Sequence, residues 1–293
     1  MDAPIDRLPP VGVGLSALSE PADGLDRMQW LLDHGVESVQ IPLAPSFGLA
    51  PGSLMGARLQ RLRELASGFR QPVLHAPYQS VSDVTFISPT AGIVEASLAE
   101  VEKSAAIAGR AGIGCVIVHS GQKVYWMSDA EASERLRFIL PRLDSMAARH
   151  NVIVALETAE WFNGHPDRLR LAADAGLARV RLCLDLAHLT QPEHGVMALG
   201  RYASLAALVT DFAPQTAVVH VHDAAPAGAG AGVSRHHHPL AAGGQIDFEP
   251  VVQALVRAQY SGPYIQELSP ANLAPEAVLA SVRYLQEMLR RAR

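Results

Sequence analysis

Two stretches of sequence decide the fold, VIVALETAE at residues 152–160 and VRLCLDLAH at residues 180–188. Each opens with a largely apolar run, which is typical of parallel strands buried on both faces. Each run ends in an acidic residue, Glu157 in the first and Asp185 in the second. The segment between the two runs is helical in pattern, as in a βα unit. We therefore interpret them as neighbouring strands with a reactive side chain at the carboxyl end.

The same alternation continues outward to both ends of the chain. Strands are predicted at 11–17, 37–43, 72–76, 114–119, 152–157, 180–185, 217–222 and 263–268. The clearest amphipathic helices are predicted at 91–111, 129–149, 197–212, 247–259 and 274–292. Asp129 and Asp247 are predicted N-caps, and Gly112 and Gly176 are predicted to follow helix C-termini.

Eight βα units are the number in a closed barrel, so the predicted fold class is α/β, a (β/α)8 TIM barrel. One domain is expected over residues 1–293, since such barrels routinely exceed about 250 residues. An open doubly wound sheet is the alternative. The Gly- and Ala-rich segment at 224–235 follows the seventh strand and is expected to be a mobile lid or active-site loop. Gly243 and Gly244 are expected to close the loop before the next helix.

Composition narrows the classes of partner. The net charge is −5 and there is no basic stripe, which makes a nucleic-acid partner unlikely. No apolar run approaches the roughly 20 residues that span a bilayer, so no membrane association is expected. The N-terminal MDAPIDRLPP does not resemble a signal peptide. Cys115 and Cys183 lie inside apolar runs and are interpreted as buried and unpaired, which fits a cytoplasmic protein.

Six of the eight predicted strands end in histidine, aspartate or glutamate. These residues are His75, His119, Glu157, Asp185, His220 with the nearby His222, and Glu267. Any one of them alone would be interpreted as a core, rim or surface residue. In a barrel, however, the carboxyl ends of the strands form one mouth. Carboxylates and imidazoles that converge there would repel or desolvate one another without a cation, so a divalent-metal site is predicted.

Several short motifs, in this order and spacing, resemble the xylose isomerase-like TIM barrel superfamily. It includes sugar phosphate isomerases and epimerases and is related to endonuclease IV. The resemblance runs from Val11 to Leu285 and rests on these motifs: His75-Ala-Pro-Tyr78, Val118-His119-Ser-Gly121, Leu156-Glu157, Leu184-Asp185-Leu-Ala-His188, His220-Val-His-Asp223, the run from His237 to Asp247, and Gln266-Glu267-Leu268.

The resemblance implies a metal held by Glu157, Asp185, His220 and Glu267. His220 is preferred to His222 because of the family spacing, whereas strand periodicity leaves both open. Such an oxygen-rich site favours Mn²⁺, Mg²⁺ or Co²⁺, with Zn²⁺ as an alternative. Glu157 and Glu267 are the implied catalytic base and acid. The implied activity is isomerisation or epimerisation of a small sugar, keto-sugar or polyol, by proton transfer through a metal-bound enediolate.

Three other activities stay open at this stage. A dehydratase of a cyclic keto-polyol, such as inosose or 3-dehydroshikimate, would use the same proton abstraction. An endonuclease IV-like phosphodiesterase would need a further aspartate two residues before His237, where this chain has Arg235. A non-catalytic metabolite-binding barrel would not need two glutamates placed for proton transfer.

A second set of residues is predicted to contact a polyhydroxylated substrate. His75, His119, His188 and His237 match further histidines of the endonuclease IV branch, and are predicted to bind substrate oxygens or a second metal. The other candidates, each with a packing or solvated-loop alternative, are Arg235, Glu160, Trp126 and Trp161, and less strongly Lys123 and Asn163. Gln40 lies near the end of the second strand, where relatives often carry glutamate, and its role is open. A homo-oligomer is possible, since relatives often form dimers or tetramers.

Overall fold

Eight parallel strands pair in sequence order and close into a barrel, with the last strand beside the first. The computed structural model describes residues 8–77, 84–190, 199–224, 237–269 and 273–293, without the side chains of residues 163 and 164. The strands are β1 Val11–Gly14, β2 Ser38–Pro42, β3 Val73–His75, β4 Cys115–Val118, β5 Ile153–Glu157, β6 Val180–Asp185, β7 Thr216–His220 and β8 Tyr264–Gln266. The predicted (β/α)8 barrel is confirmed, and the pairing of β8 with β1 excludes an open sheet.

Helices cover the outside of the barrel between successive strands. Within the described ranges they are α1 Gly24–Asp33, α2 Gly56–Ala66, α3 Ala91–Ala111, α4 Asp129–His150, α5 Pro166–Ala173, α6 Leu186–Thr190, α7 Leu205–Phe212, α8 Glu249–Arg257 and α9 Pro275–Arg291. None of the helices in these ranges is long and apolar enough to cross a bilayer. The predicted helix at 91–111 is confirmed with its bounds, and those at 129–149, 247–259 and 274–292 are confirmed to within two residues at each end.

The two predicted N-caps were each misplaced by one residue. Ser128, not Asp129, caps α4 through a capping box with Glu131, because the serine hydroxyl accepts the Glu131 N–H while the glutamate accepts the Ser128 N–H. Phe248 is the residue before α8, although Asp247 still accepts a hydrogen bond from the Glu249 N–H at 3.2 Å. Short polar side chains can bind free amides from neighbouring positions, which is why sequence pattern alone did not fix the cap.

Of the two glycines predicted to follow helix C-termini, one does so and the other lies further along the chain. Gly112 ends α3 in the left-handed region with φ 75°, as predicted. Gly176 also has a positive φ of 66°, but α5 already ends at Ala173. The predicted helix at 197–212 was wrong at its start, because α7 begins at Leu205. Residues 191–198 lie outside the described residues.

The barrel interior holds a layer of small and branched side chains. Its members are Val73, Ile117, Ala155, Cys183, Val218 and Ile265, one from each of β3 to β8. Both cysteines are free, with Cys183 buried and Cys115 half-buried. Side chains two residues apart on a strand point to the same face. The residue two positions beyond each interior member therefore also points into the barrel, one layer closer to the carboxyl-end mouth.

The loop between β7 and α8 is anchored by one carboxylate. Asp223 accepts hydrogen bonds from the backbone N–H groups of Gln245 and Ile246 at 3.0 and 3.1 Å. A Cβ on Gly244 would overlap this carboxylate, so any larger residue there would displace it from its hydrogen bonds. The two glycines thus close the loop as predicted, with Gly243 at φ 75°. The predicted lid at 224–235 lies outside the described residues except for Ala224.

Candidate metal and catalytic site

Six polar side chains lie one layer above the interior cluster. Each of them follows an interior residue by two positions on its own strand: His75, His119, Glu157, Asp185, His220 and Glu267. Four are the last residues of their strands, and His119 and Glu267 come directly after β4 and β8. Barrel closure brings these six strand ends to one mouth, so residues up to about 190 positions apart in sequence share one site.

The centre of the site is one imidazole nitrogen surrounded by three carboxylates. Nδ1 of His220 lies 3.7 Å from Glu157 Oε1, 3.7 Å from Asp185 Oδ2 and 3.6 Å from Glu267 Oε2. One ligand atom from each of the four residues lies within 4.8 Å of the others. The Nδ1 atom is buried and has no hydrogen-bond partner among the described residues. Glu267 keeps 17% of its side chain exposed, so the site opens to solvent on its side.

Two histidines contact the other carboxylate oxygen of Glu157. The Nε2 atoms of His75 and His119 lie 3.2 and 3.1 Å from Glu157 Oε2. Nδ1 of His75 is 2.7 Å from the carbonyl oxygen of Ala76, and Nδ1 of His119 is 3.9 Å from Glu160 Oε1. Each oxygen of Glu157 is therefore directed to a different group of imidazoles.

Asp185 is held by a second set of contacts. Its Oδ1 accepts the backbone N–H of His188 at 2.9 Å, and Oδ2 lies 2.9 Å from His222 Nε2. The backbone N–H of His237 donates to His222 Nδ1 at 3.0 Å. Because Nδ1 accepts that bond, Nε2 carries the proton that is donated to Asp185. Both ring nitrogens of His222 are thus engaged, while Nδ1 of His220 is not.

Thr158 links the two strands that carry the acidic residues. Its hydroxyl accepts the Asp185 N–H at 2.7 Å, and its own N–H donates to the carbonyl of Cys183 at 2.9 Å. Its carbonyl oxygen lies 3.2 Å from Nδ1 of His188. Sequence reasoning missed this residue, although its position directly after Glu157 was the available signal.

Gln40 bridges two of the central residues from β2. Its amide oxygen lies 2.7 Å from Nε2 of His220, and its amide nitrogen donates to Glu267 Oε1. The side chain is buried. Its role was open from sequence, and the contacts identify it as a bridge between β7 and the residue after β8.

The electrostatics of the site follow from this crowding. Burial favours a neutral carboxyl group, but the imidazoles of His119 and His220 outweigh it and hold the pKa of Glu157 well below its usual value. Neighbouring imidazoles likewise outweigh burial and lower the pKa of Asp185. Burial alone would lower the pKa of His119, but Glu157 and Glu160 raise it to about 10. The thiol and carboxylates around His220 raise its pKa despite burial.

Two of the predicted substrate contacts have left-handed backbones. Glu160 has φ 54° and His237 has φ 67°, which is costly for residues other than glycine. Both carboxylate oxygens of Glu160 are buried without a hydrogen-bond partner in the described part of the chain. The His237 ring stacks on His222 at 4.4 Å between centroids, and its Nδ1 lies 3.1 Å from the carbonyl oxygen of Glu267. Backbone strain of this kind concentrates at functional sites.

Comparison with known proteins identifies the family to which this chain belongs. The sequence pattern of the xylose isomerase-like TIM barrel family matches residues 28–288, which is most of the chain. The chain belongs to the xylose isomerase-like TIM barrel family. The resemblance predicted from the short motifs is therefore confirmed. No protein with a curated description matches the chain in sequence.

Several solved structures share the fold of this chain at low sequence identity. An L-ribulose 3-epimerase aligns with a TM-score of 0.76 at 15% identity, over 98% of this chain and 96% of its own. The E. coli 3-keto-D-glucoside 4-epimerase YcjR gives 0.73 at 15%, over 94% and 98%. An IOLI protein with a bound zinc atom gives 0.74 at 16%, over 97% and 99%. These similarities establish the fold.

The two predicted aromatic contacts lie in different environments. Trp126 is 60% exposed in the loop after β4. Trp161 is only 5% exposed, its Nε1–H donates to Asp129 Oδ1 at 3.2 Å, and the guanidinium of Arg168 lies 4.7 Å from its ring centroid. Trp161 therefore packs against the start of α4, and its role as a substrate contact stays a prediction. Arg235 lies outside the described residues, as does the side chain of Asn163.

A cavity of about 500 Å³ leads to the central residues from the side of β1, β2 and β8. The cavity is lined by Gln40, His75, His237 and Glu267 and by residues of nearby loops, among them Ser16, Ser46, Phe47 and Ser269. Sequence reasoning missed these loop residues, because serines and a phenylalanine in loops carry no distinctive pattern. A cavity of this size accommodates a small molecule.

Proposed function

We propose that this chain is a divalent-metal-dependent isomerase or epimerase acting on a small sugar, keto-sugar or polyol. The observation that carries the proposal is the buried Nδ1 of His220, unpaired among the described residues and facing three carboxylates at 3.6 to 3.7 Å. Buried negative groups around an imidazole nitrogen are stabilised by a cation among them, either a bound metal ion or, in its absence, a proton on the imidazole. The residues present therefore fit a metal ion.

The proposed ligands are Glu157, Asp185, His220 and Glu267. His222 is not proposed, because one of its nitrogens accepts the His237 N–H and the other donates to Asp185. Three carboxylates and one imidazole favour Mn²⁺, Mg²⁺ or Co²⁺, and Zn²⁺ is an acceptable alternative. The zinc atom in the IOLI structure supports a divalent metal in general.

Glu157 and Glu267 are the proposed proton-transfer groups. A bound divalent cation would polarise the substrate carbonyl as a Lewis acid. The pKa of Glu267 is lowered because His220 outweighs its burial, and the pKa of Glu157 is lowered as well, so both can accept a proton near neutral pH. The two carboxylates reach the site from different strands, β5 and β8. One can therefore remove a proton from a carbon next to the carbonyl, and the other can return a proton that it has first taken up from solvent, which reaches the site beside Glu267.

The substrate is proposed to enter the 500 Å³ cavity beside Glu267. The imidazoles and serine hydroxyls among its lining residues suit a polyhydroxylated compound of monosaccharide size. Two structurally similar proteins are epimerases of an L-ribulose and of a 3-keto-D-glucoside, which supports a carbonyl sugar. The proposed substrate contacts are four histidines, His75, His119, His188 and His237. Glu160, Arg235, Trp126 and Trp161 are also predicted to contact the substrate.

The test is metal-dependent hydrogen exchange in D₂O. Purified protein, stripped of metal and reloaded with Mn²⁺, Mg²⁺, Co²⁺ or Zn²⁺, is incubated with a panel of ketoses and cyclic keto-polyols. We expect deuterium at the carbon next to the carbonyl only with metal, and its loss in Glu157→Gln and Glu267→Gln. Glu134→Gln, an exposed glutamate on α4, is the matched control and keeps the exchange. Metal binding without exchange for any compound of the panel would contradict the proposal.

Phosphodiester hydrolysis is the second candidate, favoured by the number of imidazoles around the site. A further group of ligand residues, His75 with His119 and Glu157, lies close enough to hold an additional ion. Two or three bound metals together with cleavage of an abasic-site oligonucleotide would replace the isomerase proposal. A dehydratase would exchange the same hydrogen but lose water, which mass spectrometry of the product detects.

A further inference from the structure

Gln40 connects two of the proposed ligands, and the direction of its hydrogen bonds fixes how both face the metal. We propose that Gln40 is a positioning residue that selects the tautomer of His220 and the orientation of the Glu267 carboxylate. It does so by accepting a hydrogen bond from one and donating to the other. The inference rests on the proposed function, because it assigns a role relative to the proposed metal.

The first step is the orientation of the amide. A carboxylate only accepts hydrogen bonds, so the group of Gln40 that contacts Glu267 Oε1 must be its NH₂. The amide oxygen is then the atom that lies 2.7 Å from His220 Nε2. An amide oxygen only accepts, so Nε2 of His220 must carry a hydrogen. One buried side chain therefore settles a choice that the imidazole alone leaves open.

These two hydrogen bonds determine which atoms of His220 and Glu267 face the proposed metal. With the hydrogen on Nε2, the neutral ring has its lone pair on Nδ1, the atom that faces the three carboxylates. The same amide occupies Oε1 of Glu267, which leaves Oε2, at 3.6 Å from that nitrogen, directed to the same point. The hydrogen-bonded partners of metal-bound histidines commonly set tautomer and orientation in this way.

No other described group offers the same pair of bonds. The Sγ atom of Cys183 lies 3.5 Å from His220 Nε2, but a thiol is a weak acceptor and gives nothing to Glu267. Gln40 is placed by a rigid element, since β2 is paired on both sides, with Gln40 opposite Gly14 and Val73. The bridge spans the barrel mouth from β2 to β7 and β8.

An amide fits this position better than a carboxylate. A glutamate would still accept from His220, but it would place a fourth negative charge against Glu267 in a buried site. Three carboxylates and one divalent cation already leave a net charge of −1, and a further buried charge without a partner is costly. The amide supplies an acceptor and a donor with no charge.

The test uses Zn²⁺ as a diamagnetic probe of the whole protein. Its affinity is measured by competition with a chromophoric chelator, and the His220 tautomer by long-range ¹H–¹⁵N spectra of histidine-labelled protein. Gln40→Met keeps the length of the side chain and removes both bonds. Gln40→Glu keeps the acceptor and removes the donor. Gln266→Met is the matched control, because Gln266 is an equally buried amide on β8 that bonds Ser281 rather than the site.

We expect zinc-loaded wild-type protein to show His220 with hydrogen on Nε2. Gln40→Glu should keep that signature, and Gln40→Met should lose it and bind Zn²⁺ about 10 to 100 times more weakly. Gln266→Met should change neither readout. Hydrogen on Nδ1 in the zinc-loaded wild type, or unchanged affinity and signature in Gln40→Met, would overturn the inference.

These readouts do not depend on turnover. If no substrate shows exchange but the Gln40 variants behave as expected, the positioning role stands and only the proposed reaction fails. If wild-type protein binds no metal, the proposed function fails, and the spectra of the metal-free protein still test the bond. In that case, a protected Nε2–H of His220 that disappears in Gln40→Met supports the bridge, and its absence in the wild type refutes it.

Discussion

The metal-free protein should lose stability as the pH rises above neutral, and Glu157 should cause much of that loss. Burial alone would lower the pKa of His119, but Glu157 and Glu160 raise it from 6.5 to about 10 in the folded state. A raised pKa means that the folded state binds a proton more tightly than the unfolded chain. The resulting stability is complete below about pH 6.5 and is lost as the pH rises through about 10. At about 1.4 kcal/mol per pKa unit, this corresponds to at most about 5 kcal/mol.

Glu157→Gln removes the nearest negative charge and keeps the shape of the side chain. Its two contacts at 3.1 and 3.2 Å become bonds to a neutral amide, so the raised pKa of His119 should fall. We expect the free energy of unfolding to change less between about pH 7 and about pH 10 in this variant than in wild-type protein.

The assay is urea unfolding of chelator-treated protein at several pH values, followed by tryptophan fluorescence. Glu134→Gln is the control, because it removes an exposed glutamate and leaves all other titrations unchanged. The difference between the two variants in the pH dependence of the unfolding free energy gives the contribution of Glu157. Equal pH slopes in Glu157→Gln, Glu134→Gln and wild type would refute the reasoning, as would wild-type stability that increases from neutral to alkaline pH.

Three further predictions concern packing and local structure. Trp161→Ala should lower the free energy of unfolding by about 3 to 5 kcal/mol in denaturant titrations, whereas the exposed Trp126→Ala should change it by less than about 0.5 kcal/mol; equal effects would contradict the observed burial. Gly244→Ala should lower the melting temperature clearly, because the added methyl group overlaps the carboxylate of Asp223, and an unchanged melting temperature would contradict this. Ser128→Ala should cost about 1 kcal/mol through loss of the α4 capping box, measured by chemical denaturation, and a neutral effect would argue against the cap.

The strands and the residues at their ends could be predicted from local sequence alone. Each strand prediction needed only a short apolar run, and period-two alternation put Ile117 and His119 on one face without knowledge of any neighbour. The helix ends were less certain, because Ser128 and Asp129 are both good caps and the backbone geometry chooses between them. The predicted start of α7 was wrong for a similar reason, because residues with amphipathic spacing can also form turns.

Within the site, sequence identified the residue types that meet but not how they are bonded. The choice between His220 and His222 was open from periodicity, and only the family spacing favoured one. In the structure, the N–H of His237 occupies Nδ1 of His222, and Gln40 binds Nε2 of His220. Neither contact is visible in the sequence, because the partners are far apart along the chain or on different strands.

The sequence by itself determined the eight βα units, the order of the strands and the reactive residues at their carboxyl ends. All of these are properties of neighbouring residues, encoded in apolar runs and period-two alternation. The tertiary structure decided which nitrogen is free, which oxygens converge and where the cavity opens. The reason is barrel closure, which joins residues such as Gln40 and Glu267 across 227 positions, at distances that no local pattern specifies.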